Sequence, residues 1–297
     1  MNSVKEQLES FDKSNLDLVN LYKLFKSASD DRLILRFQLP LGTKVIRMRV
    51  NERGKLFLNK DELSYPPMSC VQKFGRANIP GHPMFYGSFF AQDDFSPEPR
   101  MIVLTEVSNN ILDKTSSLVE RQTYALFIVQ EDLKLIAFPF IGSYDRPCSD
   151  IQKLQNQWNS IDKGGISYDS VELMTYMSNQ IATKFSSSSD YSILANYIYY
   201  LLYINEGTKD IDGIVYPTVR MDGNGFNLAI KPKSADTKLR FIQATECYMC
   251  KRQDYITVLN IQDGISIDKL GSLTYSPNKT YDESETKRFT EDLAFLN

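Results

Sequence analysis

Residues 75–88 read GRANIPGHPMFYGS. Glycines at 75 and 81 and prolines at 80 and 83 punctuate the first nine positions. Proline fixes φ and lacks a donor, and glycine opens backbone conformations closed to other residues, so a set loop is expected there. The loop extends upstream through SYPPMSCVQKF, residues 64–74, and a strand-like stretch, Met84–Phe90, follows it. Arg76 sits on the loop and Tyr86, ten residues on, lies on the strand. A rigid turn presenting an arginine beside a strand tyrosine suits an anion and ring clamp. A structural loop with a surface arginine is the other reading, and the residues alone leave both open.

Upstream, Leu18, Leu21, Tyr22 and Phe25 recur at helical spacing, so the first ~28 residues read as helical. Leu33–Phe37, Lys44–Val50 and Lys55–Leu58 look like strands. In the second, Ile46, Met48 and Val50 form an apolar face and Arg47 and Arg49 share the opposite one. Downstream, a polar loop, AQDDFSPEPR, leads into an apolar run, Met101–Val107, read as a strand. Thr123–Val129 and Leu133–Phe138 flank Gln130–Asp132 and read as a hairpin. Residues 150–205 are helical in pattern, with capping-box spacing at Asp169 and Glu172 and an apolar stripe from Ile193 to Leu201. Strands return at Ile214–Tyr216, Asn227–Ile230, Leu239–Tyr248 and Tyr255–Ile261. Strands, then helices, then strands predict an α+β fold.

Composition narrows the function. With 34 Lys and Arg against 37 Asp and Glu, the net charge of −3 carries no footprint for nucleic acid. The single histidine, His82, excludes sites built on two, such as HExxH zinc hydrolases. Four cysteines in a long chain whose start lacks signal-peptide character point to a reducing cytoplasm, and no apolar run is long enough for a membrane span.

Several motifs read more plainly as structure. Cys247 and Cys250 have half of a zinc or redox spacing but lie in a strand-like run without a second pair, so buried packing is expected. Asp222-Gly223-Asn224-Gly225 reads as a hairpin turn, not a phosphate cradle. Tyr197, Tyr199, Tyr200 and Tyr203 read as helix packing. Glu106 is different. Strand alternation would set it on one face with Ile102 and Leu104, which favours a cleft over an exposed strand end.

Three segments together resemble the RES domain, a family named for an Arg, a Glu and a Ser. GRANIPGHPMFYGS is similar to the family's Gly-Arg-x-Asn-x-x-Gly-x-Pro-x-x-Tyr segment, IVLTEV (102–107) to its glutamate strand, and DGIVYPTVR (212–220) with GFNLAIKP (225–232) to its YPS segment. The resemblance spans about residues 45–232, in family order. It divides the chain into an N-terminal helical extension (1–40), a catalytic domain (41–232) and a C-terminal β-rich extension (233–297) packed on the same domain. Thr218 stands where the family has serine, which keeps the hydroxyl and adds a methyl group. The long stretch between Tyr86 and Glu106 leaves Glu98 as a competing glutamate.

The resemblance implies an ADP-ribosyltransferase-like RES fold, with mixed or antiparallel central sheets flanked by helices. It implies an NAD+-degrading enzyme, of the glycohydrolase or phosphorylase type, acting as a toxin or defence effector. A helix-turn-helix antitoxin or other neutralising protein is the implied partner, with no nucleic acid or membrane. NAD+ is the substrate, with no further cofactor and no metal. On this reading Glu106 stabilises the charge developing on the ribose, Arg76 holds the pyrophosphate, Tyr86 stacks on nicotinamide or fixes its ribose, and Thr218 bonds near the glutamate or the sugar. Asn78 is counted with Arg76, Tyr86, Arg49 and Thr218 among the NAD+-binding residues, shaping the loop rather than reacting. Arg49 is a second phosphate contact, and His82 is not needed as a base. Transfer of ADP-ribose to a macromolecule, or a RES-like binding module without turnover, are the alternatives.

Overall fold

Lys44–Val50 is strand β2, and its alternation holds: Ile46 and Met48 pack to one side while Val45 enters a separate core. The computed structural model describes all residues except 1, 91–97, 109–110, 114, 116, 140–147, 253–254, 267, 279–286, 288–290 and 292–297. Most of the loop AQDDFSPEPR lies outside the described residues.

The other strands are β1 (Leu35–Leu39), β3 (Phe85–Phe89), β4 (Ser117–Val129), β5 (Leu133–Ala137) and β6 (Gly213–Pro217). After them come β7 (Phe226–Ile230), β8 (Leu239–Arg252), β9 (Tyr255–Ser266) and β10 (Leu273–Pro277). They form one mixed sheet in the order β1-β5-β6-β7-β3-β2-β4-β8-β9-β10, in which only β5 and β6 run parallel. Strand β1 falls within residues 1–40, and β8 extends the sheet by pairing along the whole of β4.

Helices α1 (Val4–Ser10) and α2 (Leu18–Ala28) precede the sheet. Helix α3 (Pro99–Val107) lies between β3 and β4. Next come α4 (Ser149–Ser160), α5 (Tyr168–Ile181) and α6 (Ser192–Tyr199), the last continuing through a π turn to Ile204. Helix α7 (Pro232–Lys238) follows β7. The chain is thus α+β, a large mixed sheet flanked by helices. Phe25, Met177, Tyr197 and Leu201 from α2, α5 and the α6 region pack over Ile214, Tyr216 and Ala229 on one sheet face. The opposite face buries Phe85, Phe127, Leu135 and Leu228. Helix α3 closes a third core, where Val103 and Leu104 meet Ile46, Met48 and Cys247. Among the described residues, no helix is long and apolar enough to cross a membrane.

Four expectations need correction. Met101–Val107 is helical: Pro99 starts α3, and Ile102, Val103, Leu104 and Thr105 are all buried, a run that short-range alternation misreads. The expected hairpin does not form, because β4 pairs with β2 and β8 while β5 pairs with β1 and β6. Its link is held elsewhere: Gln130 N–H donates to Lys238 O, and Asp132 accepts from Leu41 N–H at 2.7 Å. Both strands feed one core, through Phe127 and Leu135, so the sheet curls over itself. Lys55–Leu58 is not a strand but an extended segment that sends Phe57 into that core. The cap of α5 is Ser167, which accepts from Ser170 N–H, rather than Asp169.

Strands β2 and β3 share only two register pairs, Val45↔Phe89 and Ile46↔Ser88. Beyond these the strands part. The Tyr86 carbonyl, without a β2 donor, accepts from Arg47 Nη1 at 2.8 Å. Gly87 stands at the fork, where a Cβ would lie 2.7 Å from the Ile46 carbonyl oxygen.

Candidate functional site

A cleft of about 580 Å³ opens at this parting, within the range of small-molecule sites. Arg47 and Arg49 of β2, Tyr86 and Gly87 of β3, Tyr216 of β6 and Asn227 of β7 contribute to its walls. Glu106 of α3, Arg76, Arg220, Glu52 and the segment Lys184–Phe185 with Tyr191 complete the polar and aromatic lining. The cations Arg47, Arg49, Arg76, Lys184 and Arg220 outnumber the carboxylates Glu52 and Glu106, so the cleft favours an anion.

Glu106 is set by three elements. Arg220 Nη1 donates to the Thr105 and Ser108 carbonyls, at 2.9 and 3.2 Å, and pins the last turn of α3. Thr218, fully buried, donates its hydroxyl to Glu106 Oε1 at 2.8 Å. Asn227 Nδ2 donates to the same oxygen, also at 2.8 Å. Oε2 has no hydrogen-bond partner among the described residues and is the oxygen left for a ligand. The β6–β7 turn fixes the spacing: Thr218 N–H donates to Gly225 O, and Asp222, Gly223 and Gly225 take positive φ, as the Asp-Gly-Asn-Gly reading expects. Glu98 caps the far end of α3, eight residues and about 12 Å along the helix from Glu106. Burial pushes its carboxyl above the ordinary value, but it does not line the cleft.

Arg76 lines the cleft but most of its fork is already engaged. Nη1 donates to the Ile181 and Thr183 carbonyls at the end of α5, and its guanidinium lies 5.3 Å from the Tyr191 ring centre. Tyr86 presents its ring to the cleft while its hydroxyl accepts from Ala77 N–H and donates to Asn78 Oδ1 at 2.8 Å. Burial pushes that phenol well above its ordinary value. Asn78 lies away from the cleft and ties the loop, its amide donating to Lys73 O and its carbonyl accepting from Gly75 N–H. It shapes the loop as expected, but the cleft lining does not include it for the NAD+ contact also expected, because its side chain is spent on Lys73 O and the Tyr86 hydroxyl. Arg49 lies over the Phe57 ring and donates to Glu62 O.

Arg47 is the residue the sequence reading passed over in favour of Arg49. Its Nε is buried without a hydrogen-bond partner among the described residues. Burial, with Arg49 nearby, pushes the guanidinium down to about 10. The residue lines the cleft, so its charge acts on an anion bound there. Its sequence signal was present, an arginine alternating with apolar residues in a strand. Asn227 had the same signal, one polar residue within FNLAI. Lys184, Phe185 and Tyr191 had none, since only the helical layer brings residues 182–191 to the cleft.

His82 lies outside the cleft, its ring edge-on to Tyr199 at 4.7 Å. Tyr197 and Tyr200 are buried core, as expected. Cys247 and Cys250 are buried on β8, where three-residue spacing sends them to opposite faces; burial pushes the Cys247 thiol up to about 12. Among the described residues no cluster of His, Cys, Asp and Glu is arranged to hold a metal. No protein-family profile and no curated protein sequence matches this chain.

Proposed function

We propose that this cleft binds NAD+ and breaks the bond between nicotinamide and ribose, as the RES-like segments imply, on an ADP-ribosyltransferase-like fold. The observation that carries the reading is a glutamate held by two buried donors inside a strongly cationic, aromatic-walled cleft. NAD+ offers matching chemistry: a diphosphate for the arginines and a flat cationic ring for Tyr86, Tyr191, Tyr216 or Phe185.

The C1′–N bond breaks with its electron pair going to the ring nitrogen, so nicotinamide leaves neutral and needs no proton. Positive charge develops on the ribose, and Glu106 Oε2 stabilises it and accepts from a ribose hydroxyl. Water or phosphate then bonds to C1′, and attacking water releases one proton to solvent. Arg47, which lines the cleft at the parting of β2 and β3, is the foremost diphosphate contact, Arg49 the second. Arg76 chiefly holds the rim, with its outer nitrogen near the ligand. Such an enzyme would deplete cellular NAD+ and act as a toxin or defence effector, restrained by a helix-turn-helix antitoxin or other neutralising protein.

Purified protein incubated with NAD+, with and without phosphate, is expected to release nicotinamide. Intact NAD+ at high enzyme concentration, with water, phosphate and protein acceptors all supplied, would falsify the reading. Labelled NAD+ separates small-molecule products from transfer to a macromolecule.

A further inference from the structure

Strand β7, Phe-Asn-Leu-Ala-Ile, is buried at all five positions, and Asn227 is its one polar side chain. Asparagine is a poor strand former, and a buried amide is unfavourable unless it is hydrogen-bonded. A central strand that keeps one needs a reason for it. The amide donates to Glu106 Oε1, the oxygen that Thr218 also uses. We propose that Asn227 is a positioning residue that, with Thr218, saturates one oxygen of the Glu106 carboxylate and turns the other to the cleft. The proposal rests on reading the cleft as an NAD+-cleaving site.

Two donors on one oxygen do what a single donor cannot. A carboxylate oxygen has two lone pairs, so Thr218 and Asn227 together fill Oε1. With Thr218 alone, the carboxylate would still pivot about that bond and carry Oε2 out of register with the sugar. The two donors arrive from β7 and from the residue that follows β6, its partner in one hairpin, where Tyr216 faces Asn227 and Pro217 faces Phe226. Their separation is therefore set by strand pairing. Arg220 holds the helix end that carries Glu106, so backbone and carboxylate are fixed independently. The developing charge then meets an oxygen already in place, and no reorientation is needed during reaction.

The test compares the parent protein with Asn227→Leu, similar in volume but without a donor, and Asn227→Asp. For Asn227→Leu, kcat on NAD+ is expected to fall about 10- to 100-fold while KM stays within about threefold, because the lost bond acts through Glu106 and not on ground-state binding. Asn227→Asp sets a second carboxyl against Glu106. The other charged or titratable groups lining the cleft around them are Arg47, Arg49, Glu52, Arg76, Tyr86, Lys184, Tyr191, Tyr216 and Arg220. Turnover of this variant should be poor at pH 8 and rise as the pH falls, when the two carboxyls share one proton and the introduced group can donate in place of the amide. A merely structural role would not produce that profile. The proposal is overturned if the parent cleaves NAD+ and Asn227→Leu retains kcat within about threefold. A parent that releases no nicotinamide sinks the NAD+ reading alone, and crystal structures of parent and Asn227→Leu then decide. A Glu106 carboxylate rotated in the variant upholds the positioning role, and an unmoved one refutes it.

Discussion

Thr218 donates its hydroxyl to Glu106 Oε1 at 2.8 Å across 112 residues of sequence. The bond joins the turn after β6 to the end of α3 and sits wholly out of solvent on the threonine side. Thr218→Ser keeps the donor and should leave NAD+ turnover close to the parent's. Thr218→Val keeps the shape and loses the donor, so kcat should drop about 10- to 100-fold. Steady-state assays of nicotinamide release check both, and equal rates for parent and Thr218→Val would remove Thr218 from the site.

Glu106→Gln retains volume and replaces a charge with an amide. Turnover is expected to fall about 100- to 1,000-fold, the scale of losing one electrostatic contact to the transition state. The melting temperature should stay near the parent's, because the amide oxygen can still accept from Thr218 and Asn227. Full activity in Glu106→Gln would exclude it from the chemistry.

Arg47 gives a linkage prediction. Its folded-state pKa of about 10 lies below the ordinary 12.5, so protonation opposes folding. The penalty is complete at any pH below about 10 and fades only as the pH rises through that value. Arg47→Met lifts that penalty but strips the Tyr86 carbonyl of its donor, so the two effects oppose and its melting point at pH 7 should move little. It should lose the stabilisation that millimolar NAD+ or pyrophosphate confers on the parent. Thermal shift with and without ligand reads both. A variant that still responds fully to both ligands would remove Arg47 as an anion contact.

Arg76 is tied to the Ile181 and Thr183 carbonyls, so its loss should be felt in the fold as well as in the cleft. Arg76→Ala is expected to cost about 1–2 kcal/mol by denaturant unfolding, for charged hydrogen bonds to one part-buried and one exposed carbonyl. KM for NAD+ should rise with it, because Lys184 and Phe185 follow Thr183 onto the rim. A variant of parental stability would show that the rim does not depend on this arginine.

His82→Ala should leave substantial NAD+ cleavage, since the imidazole packs on Tyr199 away from the cleft. The loss of that ring contact should destabilise by about 0.5–1.5 kcal/mol. A rate collapse with an intact fold would point to histidine catalysis and contradict the proposed chemistry.

The loop at 75–88 and the turn at 222–225 were legible because glycine and proline restrict the backbone locally, whatever surrounds them. Alternation in β2 and the apolar stripe through Ile193 and Leu201 were legible for a related reason, since period alone assigns a buried face. The run at 101–107 was not. Apolar on every side, it satisfies a strand or a buried helix equally, and the choice falls to Pro99 and to the cores that receive Ile102, Val103 and Leu104.

The sequence by itself determined which groups this protein can bring to a site: one histidine, arginines alternating with apolar residues in a strand, a glutamate in an apolar run, and an asparagine in another. Tertiary structure alone decided their partnership. Strand pairing sent β4 and β5 to different neighbours, and the parting of β2 from β3 left Arg47 to satisfy the Tyr86 carbonyl. The β6–β7 pairing, with α3 seated over β2, β3 and β7, brought Thr218 and Asn227 onto one oxygen of Glu106. Local pattern fixes which side of an element a residue faces. What it meets there depends on contacts between segments a hundred residues apart, and on which buried donors and acceptors must find each other.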